Sequence, residues 1–207
     1  MATIVLVRHG ETDWNVERRW QGHADPGLNE TGRAQAAAVA RSLAAKPFDA
    51  VYSSDLARAR ETAEIIGTEL ALPVQLDARL REVDVGEWSG LTTPEIEQRY
   101  PDSLRRRDEG GIGWEHGETY TAMGDRVVEA LHAIAEAHPK GRVLVVTHGG
   151  PMCSIWLAGG GTLTDWPRTS NCDLDEIAIE NRQIRRIDSV RGGGLHQLVQ
   201  HPRSDAG

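Results

Sequence analysis

The sequence predicts an α/β fold, a three-layer α/β/α sandwich with a mostly parallel central sheet and helices on both faces. Three observations carry that prediction. Residues 3–7, 49–53 and 142–147 read as short buried strands, the last carrying Val143-Leu144-Val145-Val146. Helical patterns lie between these runs, so the strands pair side by side through crossovers. Each run also opens into a polar loop, and open parallel sheets bind ligands beyond the carboxyl ends of their strands.

Taken in order, the first strand ends in Arg8-His9-Gly10-Glu11. Residues 31–45 are alanine-rich and helical. Ser54 or Asp55 can cap the next helix, whose stripe of Leu56, Ala59, Ala63, Ile66 and Leu70 faces the sheet and leaves Arg58 off the core-facing side. Residues 105–119 are rich in charge and glycine and read as a mobile loop, with Trp114 and His116 placed to line a site entrance. A third helix over 121–137 sets Met123, Val127, Leu131 and Ile134 on one face, and His138-Pro139-Lys140-Gly141 stops it. Residues 176–180 and 183–188 flank Asn181-Arg182 as a hairpin that adds antiparallel strands to the sheet. One domain over residues 1–190 is expected, followed by a weakly ordered tail over 191–207.

The bulk properties narrow the function. The chain has 207 residues, 39% hydrophobic and 26% charged, with a net charge of −8. Such an acidic protein is not expected to bind nucleic acid or anionic membranes in general, so any anion must be caught by a local basic site. Two cysteines, Cys153 and Cys172, are too few for a disulfide framework and fit a reducing, cytoplasmic setting. No segment approaches the roughly 18 apolar residues that span a bilayer.

A local basic site is visible. Arg8 is a fixed cation beside His9, whose neutral imidazole can act as a nucleophile. His148, in Thr147-His148-Gly149-Gly150, occupies the same position after another strand. If the two strands are neighbours, both imidazoles open on one crevice. Arg58, near a helix start, adds a cation where exposed N–H groups also favour an anion. Alternatively, Arg58 pairs with Glu61 on a solvated face. The other histidines lack strand-end placement and mostly read as surface residues. Two histidines and a carboxylate are legitimate zinc or iron ligands, but Arg8 and Arg58 would repel a divalent cation, so neither metal nor cofactor is expected.

Here the chain resembles the histidine phosphatase superfamily, also called phosphoglycerate mutase-like. The motifs run in order from residue 6 to about residue 152: Leu6-Val7-Arg8-His9-Gly10-Glu11-Thr12 with Trp14-Asn15, Gln21-Gly22, Ser53-Ser54-Asp55-Leu56 with Arg58-Ala59 and Glu61-Thr62-Ala63, Leu80-Arg81-Glu82, Gly86-Glu87-Trp88-Ser89-Gly90, Gly117-Glu118-Thr119, and Val146-Thr147-His148-Gly149. The resemblance implies phosphoryl transfer through a phosphohistidine on His9. Arg8, Arg58 and His148 would hold the non-bridging oxygens and Asn15 would add a neutral donor, with Gln21, Gly22 and Gly149 in the substrate site. By the same resemblance Glu82 is the general acid and base; without it, Glu82 reads as a surface carboxylate.

Cofactor-dependent mutases carry a longer insertion between the positions of Glu82 and His148 and a longer C-terminal segment. The short interval here favours a metal-independent phosphomonoesterase acting on a small phosphate ester, because an open site lets water reach the phosphoenzyme. The pattern looks like small phosphatases acting broadly or on phosphoserine, α-ribazole phosphate or glucosyl-phosphoglycerate. The alternatives are a phosphoglycerate mutase and a non-catalytic phospholigand-binding module. Specificity is expected in residues 105–120 and in Trp20, Gln21 and His23. The late hairpin offers an edge on which a homodimer could form.

Overall fold

The computed structural model describes residues 1–108, 112–166 and 169–190. The expected tail over 191–207 lies outside them. In chain order the elements are β1 (Ala2–Arg8), α1 (Asp13–Val16), α2 (Glu30–Leu43), β2 (Ala50–Ser53), α3 (Ala57–Leu70), β3 (Val74–Leu76), α4 (Thr93–Arg99), α5 (Pro101–Asp108), α6 (Tyr120–Ala137), β4 (Arg142–Thr147), α7 (Gly149–Ala158), β5 (Leu174–Glu180) and β6 (Gln183–Val190). The six strands form one sheet in the order β3-β2-β4-β1-β5-β6. β1, β2, β3 and β4 are parallel, while β5 and β6 add an antiparallel hairpin. Asn181 and Arg182 turn that hairpin with φ of 49 and 61, as a two-residue turn matched to strand twist requires.

The apolar runs are continuous because both sheet faces are covered. Ile4, Leu6, Val143 and Val145 point into one core with Met123, Val127 and Leu131 of α6. Val5, Val7, Leu144 and Val146 point into the other with Val39 of α2 and Ala59, Ala63 and Ile66 of α3. Complete burial of such a side chain stabilises the fold by about 1.5–3 kcal/mol, and this alternation repeats along both central strands. Arg8 pairs in register with Thr147, so β1 and β4 end together and His9 and His148 leave the sheet side by side.

Two expectations need correction. Neither Ser54 nor Asp55 caps α3: its N-cap is Leu56, without a side-chain cap. Asp55 instead accepts from Arg81 at 2.6 Å, and the free N–H of Ala57 donates to the Asp25 carboxylate. Residues 105–119 are not one mobile loop. Their first part belongs to α5, residues 109–111 lie outside the described residues, and Trp114 is buried in the first core, 1% exposed. Trp114 meets Trp88 edge to face at 5.4 Å, and its indole N–H donates to the Glu118 carbonyl at 2.9 Å. Two indoles bury more apolar area packed together than at an entrance. His116 stays exposed, and its backbone N–H donates to Glu87 at 3.2 Å.

Candidate active site

A cavity of about 380 Å³ opens beyond the carboxyl ends of β1 and β4. Arg8, His9, Asn15, Gln21, Gly22 and Arg58 line it, as do Glu82 and Gly150, with Trp14, Arg18, Trp20 and Tyr120 around them. The backbone of the first loop is tightly held. His9 N–H donates to the Thr147 carbonyl at 3.0 Å, and Gly10 N–H to the Thr62 hydroxyl at 3.0 Å, which itself donates to the Arg58 carbonyl. The loop is thus tied both to β4 and to α3.

His9 is 3% exposed, and its Nδ1 lies 2.7 Å from the Gly10 carbonyl. A carbonyl can only accept, so Nδ1 carries the proton and Nε2 keeps its lone pair. Burial, followed by Arg58 and Arg8, holds the imidazole well below its ordinary 6.5, which makes it neutral at pH 7. His148 is fully buried with its ring 5.2 Å from that of His9, and it too is held well below 6.5, by burial first and then by Arg58. It lies next to His9, one side chain back from the cavity lining. Its Nε2 is 2.8 Å from the Ser54 hydroxyl, while Nδ1 has no partner.

The two cations are fixed by carbonyls. Arg58 is 1% exposed and donates to the Ala24 and Gly22 carbonyls at 2.8 and 2.9 Å, leaving Nε without a partner. The segment 21–24 folds over it through these carbonyls. It does not pair with Glu61, which takes Arg33 at 2.6 Å. Gly22 makes the segment possible: its φ is +49, and a Cβ there would press on Val85. Arg8 donates to the Thr169 carbonyl at 2.5 Å, and its Nε is also unpartnered. Burial lowers both guanidinium pKa values, Arg58 to about 10, so both remain charged at pH 7. A buried and a half-buried cation, each with an unspent donor, and two neutral imidazoles make a cluster whose charge and donors suit a compact dianion.

Glu82 reaches the same cavity from the loop before α4. Its carboxylate accepts from the N–H groups of Val83 at 2.9 Å and Gly150 at 3.2 Å. Gly150 is the second residue of α7, and a Cβ there would displace that carboxylate. It is Gly150, rather than Gly149, that lines the cavity. Asn15 uses its carbonyl oxygen to accept from Thr12 N–H at 3.1 Å in the capping box of α1, so its amide NH₂ is the group left to donate. Gln21 has a buried Oε1 with no partner.

Several supporting residues carry no local signal in the sequence. Arg126 of α6 donates to the carbonyls of Arg79, Arg81 and Glu82, each at 2.8 Å, and is itself held by Glu118 at 2.6 Å. His23, expected on the surface, donates to the Glu82 carbonyl at 2.8 Å, and His132 is buried, 8% exposed. Asn171 donates to the His9 carbonyl at 2.9 Å. Arg126, His23 and Asn171 each bridge segments far apart in the chain; Gly117-Glu118-Thr119 is the one such place where a motif is visible. Among the described residues no group of three or more His, Cys, Asp or Glu side chains is arranged to hold a metal ion.

The chain matches the histidine phosphatase superfamily (branch 1) over residues 4–190. It is 43% identical over 162 residues to phosphoglycerate mutase-like protein 4 of Arabidopsis thaliana, covering 75% of this chain and 70% of that protein. It is 40% identical over 159 residues to a metal-independent phosphoserine phosphatase of the same plant, covering 74% and 67%. A mycobacterial glucosyl-3-phosphoglycerate phosphatase complexed with VO3 superposes with a TM-score of 0.79 at 29% identity, covering 89% of this chain and 96% of that one. The match spans every element that builds the cavity, and the chain belongs to the histidine phosphatase superfamily.

Proposed function

We propose that the protein is a metal-independent phosphomonoesterase that hydrolyses small phosphorylated metabolites through a phosphohistidine on His9. One observation carries this reading: His9 is buried, neutral and protonated on Nδ1, with its Nε2 lone pair uncommitted beside two fixed cations. Nε2 attacks phosphorus and the P–O ester bond breaks. Glu82, carrying a proton, passes it to the leaving alkoxide. As a carboxylate, Glu82 then takes a proton from water, whose oxygen attacks phosphorus; the P–N bond breaks, and phosphate and free His9 are released. Arg8, Arg58, the Asn15 amide and His148 hold the charge that accumulates on the non-bridging oxygens. In that role Ser54 donates to His148 Nε2, which places the His148 proton on the unpartnered Nδ1.

Names of relatives include both mutases and phosphatases. Hydrolysis is favoured by the short interval between Glu82 and His148 and by an open mouth, where Arg18 is exposed and Tyr120 is 43% exposed. The free thiols of Cys153 and Cys172 suit a cytoplasmic setting, and the outer edge of β6 is where a homodimer would pair. The test is incubation with p-nitrophenyl phosphate in the presence of a chelator, and separately with 3-phosphoglycerate and its bisphosphate. Release of inorganic phosphate in both is expected. Isomerisation of the phosphoglycerate without release would establish the mutase, and no release from any ester would leave a binding module.

A further inference from the structure

Arg18 lines the cavity but has no part in the phosphoryl chemistry. It follows the short helix α1 at φ 57, and the local hydrogen bonds demand this conformation. Its N–H donates to the Asn15 carbonyl at 3.2 Å, and the N–H of Arg19 donates to the Trp14 carbonyl at 2.9 Å, closing the helix through a left-handed residue. Glycine takes that conformation freely, whereas a side chain costs about 1 kcal/mol or more. Among the described residues the Arg18 guanidinium makes no hydrogen bond or ion pair, while its neighbour Arg19 is bound to Glu17, Glu95 and the Gly90 carbonyl.

Its position gives the side chain a use. Arg8 and Arg58 are tied by carbonyls deep in the cavity, whereas Arg18 is exposed at the mouth with Trp14, Trp20 and Tyr120. Among the described residues that line the cavity, Glu82 is the sole carboxylate. A ligand bearing only a phosphoryl group, held between Arg8 and Arg58, leaves the Arg18 fork unmatched. A cavity of about 380 Å³ has room for a metabolite with a second charged end.

We infer that Arg18 is a specificity-determining residue that binds a second anionic group, a carboxylate or a second phosphate, on the alcohol part of the substrate. The inference rests on the phosphomonoesterase reading above. Planar carboxylate and phosphate oxygens both match the guanidinium fork.

The test measures three competitors of p-nitrophenyl phosphate hydrolysis in the wild type and in Arg18→Gly. Glycerol 3-phosphate has no second anion, 3-phosphoglycerate replaces its terminal alcohol by a carboxylate, and fructose 1,6-bisphosphate offers a second phosphate. Glycine suits the left-handed backbone, so thermal unfolding should show no loss of stability. In the variant the inhibition constant of the carboxylate or the bisphosphate should rise about tenfold or more relative to that of glycerol 3-phosphate, and the competitor that moves identifies the group. Arg18→Lys should restore part of the difference. Equal shifts for all three competitors would overturn the inference while leaving the phosphatase reading intact, as would a wild type that prefers neither doubly charged competitor. Failure of the wild type to hydrolyse p-nitrophenyl phosphate would sink the phosphatase reading and the inference with it.

Discussion

His9 and His148 are two imidazoles kept neutral by burial and by neighbouring arginines, and that has a consequence for stability. Below about pH 6.5 the unfolded chain takes up protons on both that the folded chain refuses. Their contribution is therefore complete above pH 6.5 and is lost as pH falls. In phosphate-free buffer, urea unfolding from about pH 7.5 to about 5.5 should show stability declining toward acid, each histidine adding a slope that approaches about 1.4 kcal/mol per pH unit. His148→Gln should remove about half of the slope due to this pair; an unchanged slope would show that the buried imidazoles do not titrate as described. At this scale the sequence reveals the two histidines and Arg8, because strand ends announce themselves. It does not reveal that Trp114 is core or that His23 braces the Glu82 loop, since side-chain burial at those positions depends on segments far away in the chain.

Among the elements, α6 does more than cover the sheet. Its stripe of Met123, Val127 and Leu131 faces the core, while Arg126 turns aside to clamp three carbonyls of the segment that carries Glu82. Arg126→Met keeps the apolar stem and loses the clamp, so Glu82 should lose its position while the fold persists. Turnover should fall about tenfold or more, with alkyl phosphates, whose leaving oxygens need a proton, losing more than activated aryl phosphates. Glu82→Gln should show the same dependence on the leaving group. A loss equal on both ester types would mean that Arg126 acts only through stability. The long elements are legible in the sequence because their apolar stripes extend over many residues: α6, expected over 121–137, is found at Tyr120–Ala137, and α2, expected over 31–45, at Glu30–Leu43. β3, α1 and α4 are too short to establish a period and are fixed by tertiary contacts instead, β3 by pairing with β2.

Across the whole molecule, one arrangement follows from the sheet order. β4 inserts between β2 and β1, which brings His148 beside His9 and sets Ser54, at the end of β2, against His148. The α/β class and the parallel core could be read from the strand and helix alternation, but this neighbour relation could not, because apolar runs do not encode which strand pairs with which. The most direct test of the central claim is trapping the covalent intermediate by acid-free quenching during turnover of a phosphate-labelled ester, then locating the label by peptide mapping. One alkali-stable, acid-labile phosphohistidine at His9 is expected, absent from His9→Ala, whose turnover should fall by about three orders of magnitude or more. Label on any other residue, or a His9→Ala protein that still hydrolyses the ester at a comparable rate, would contradict it.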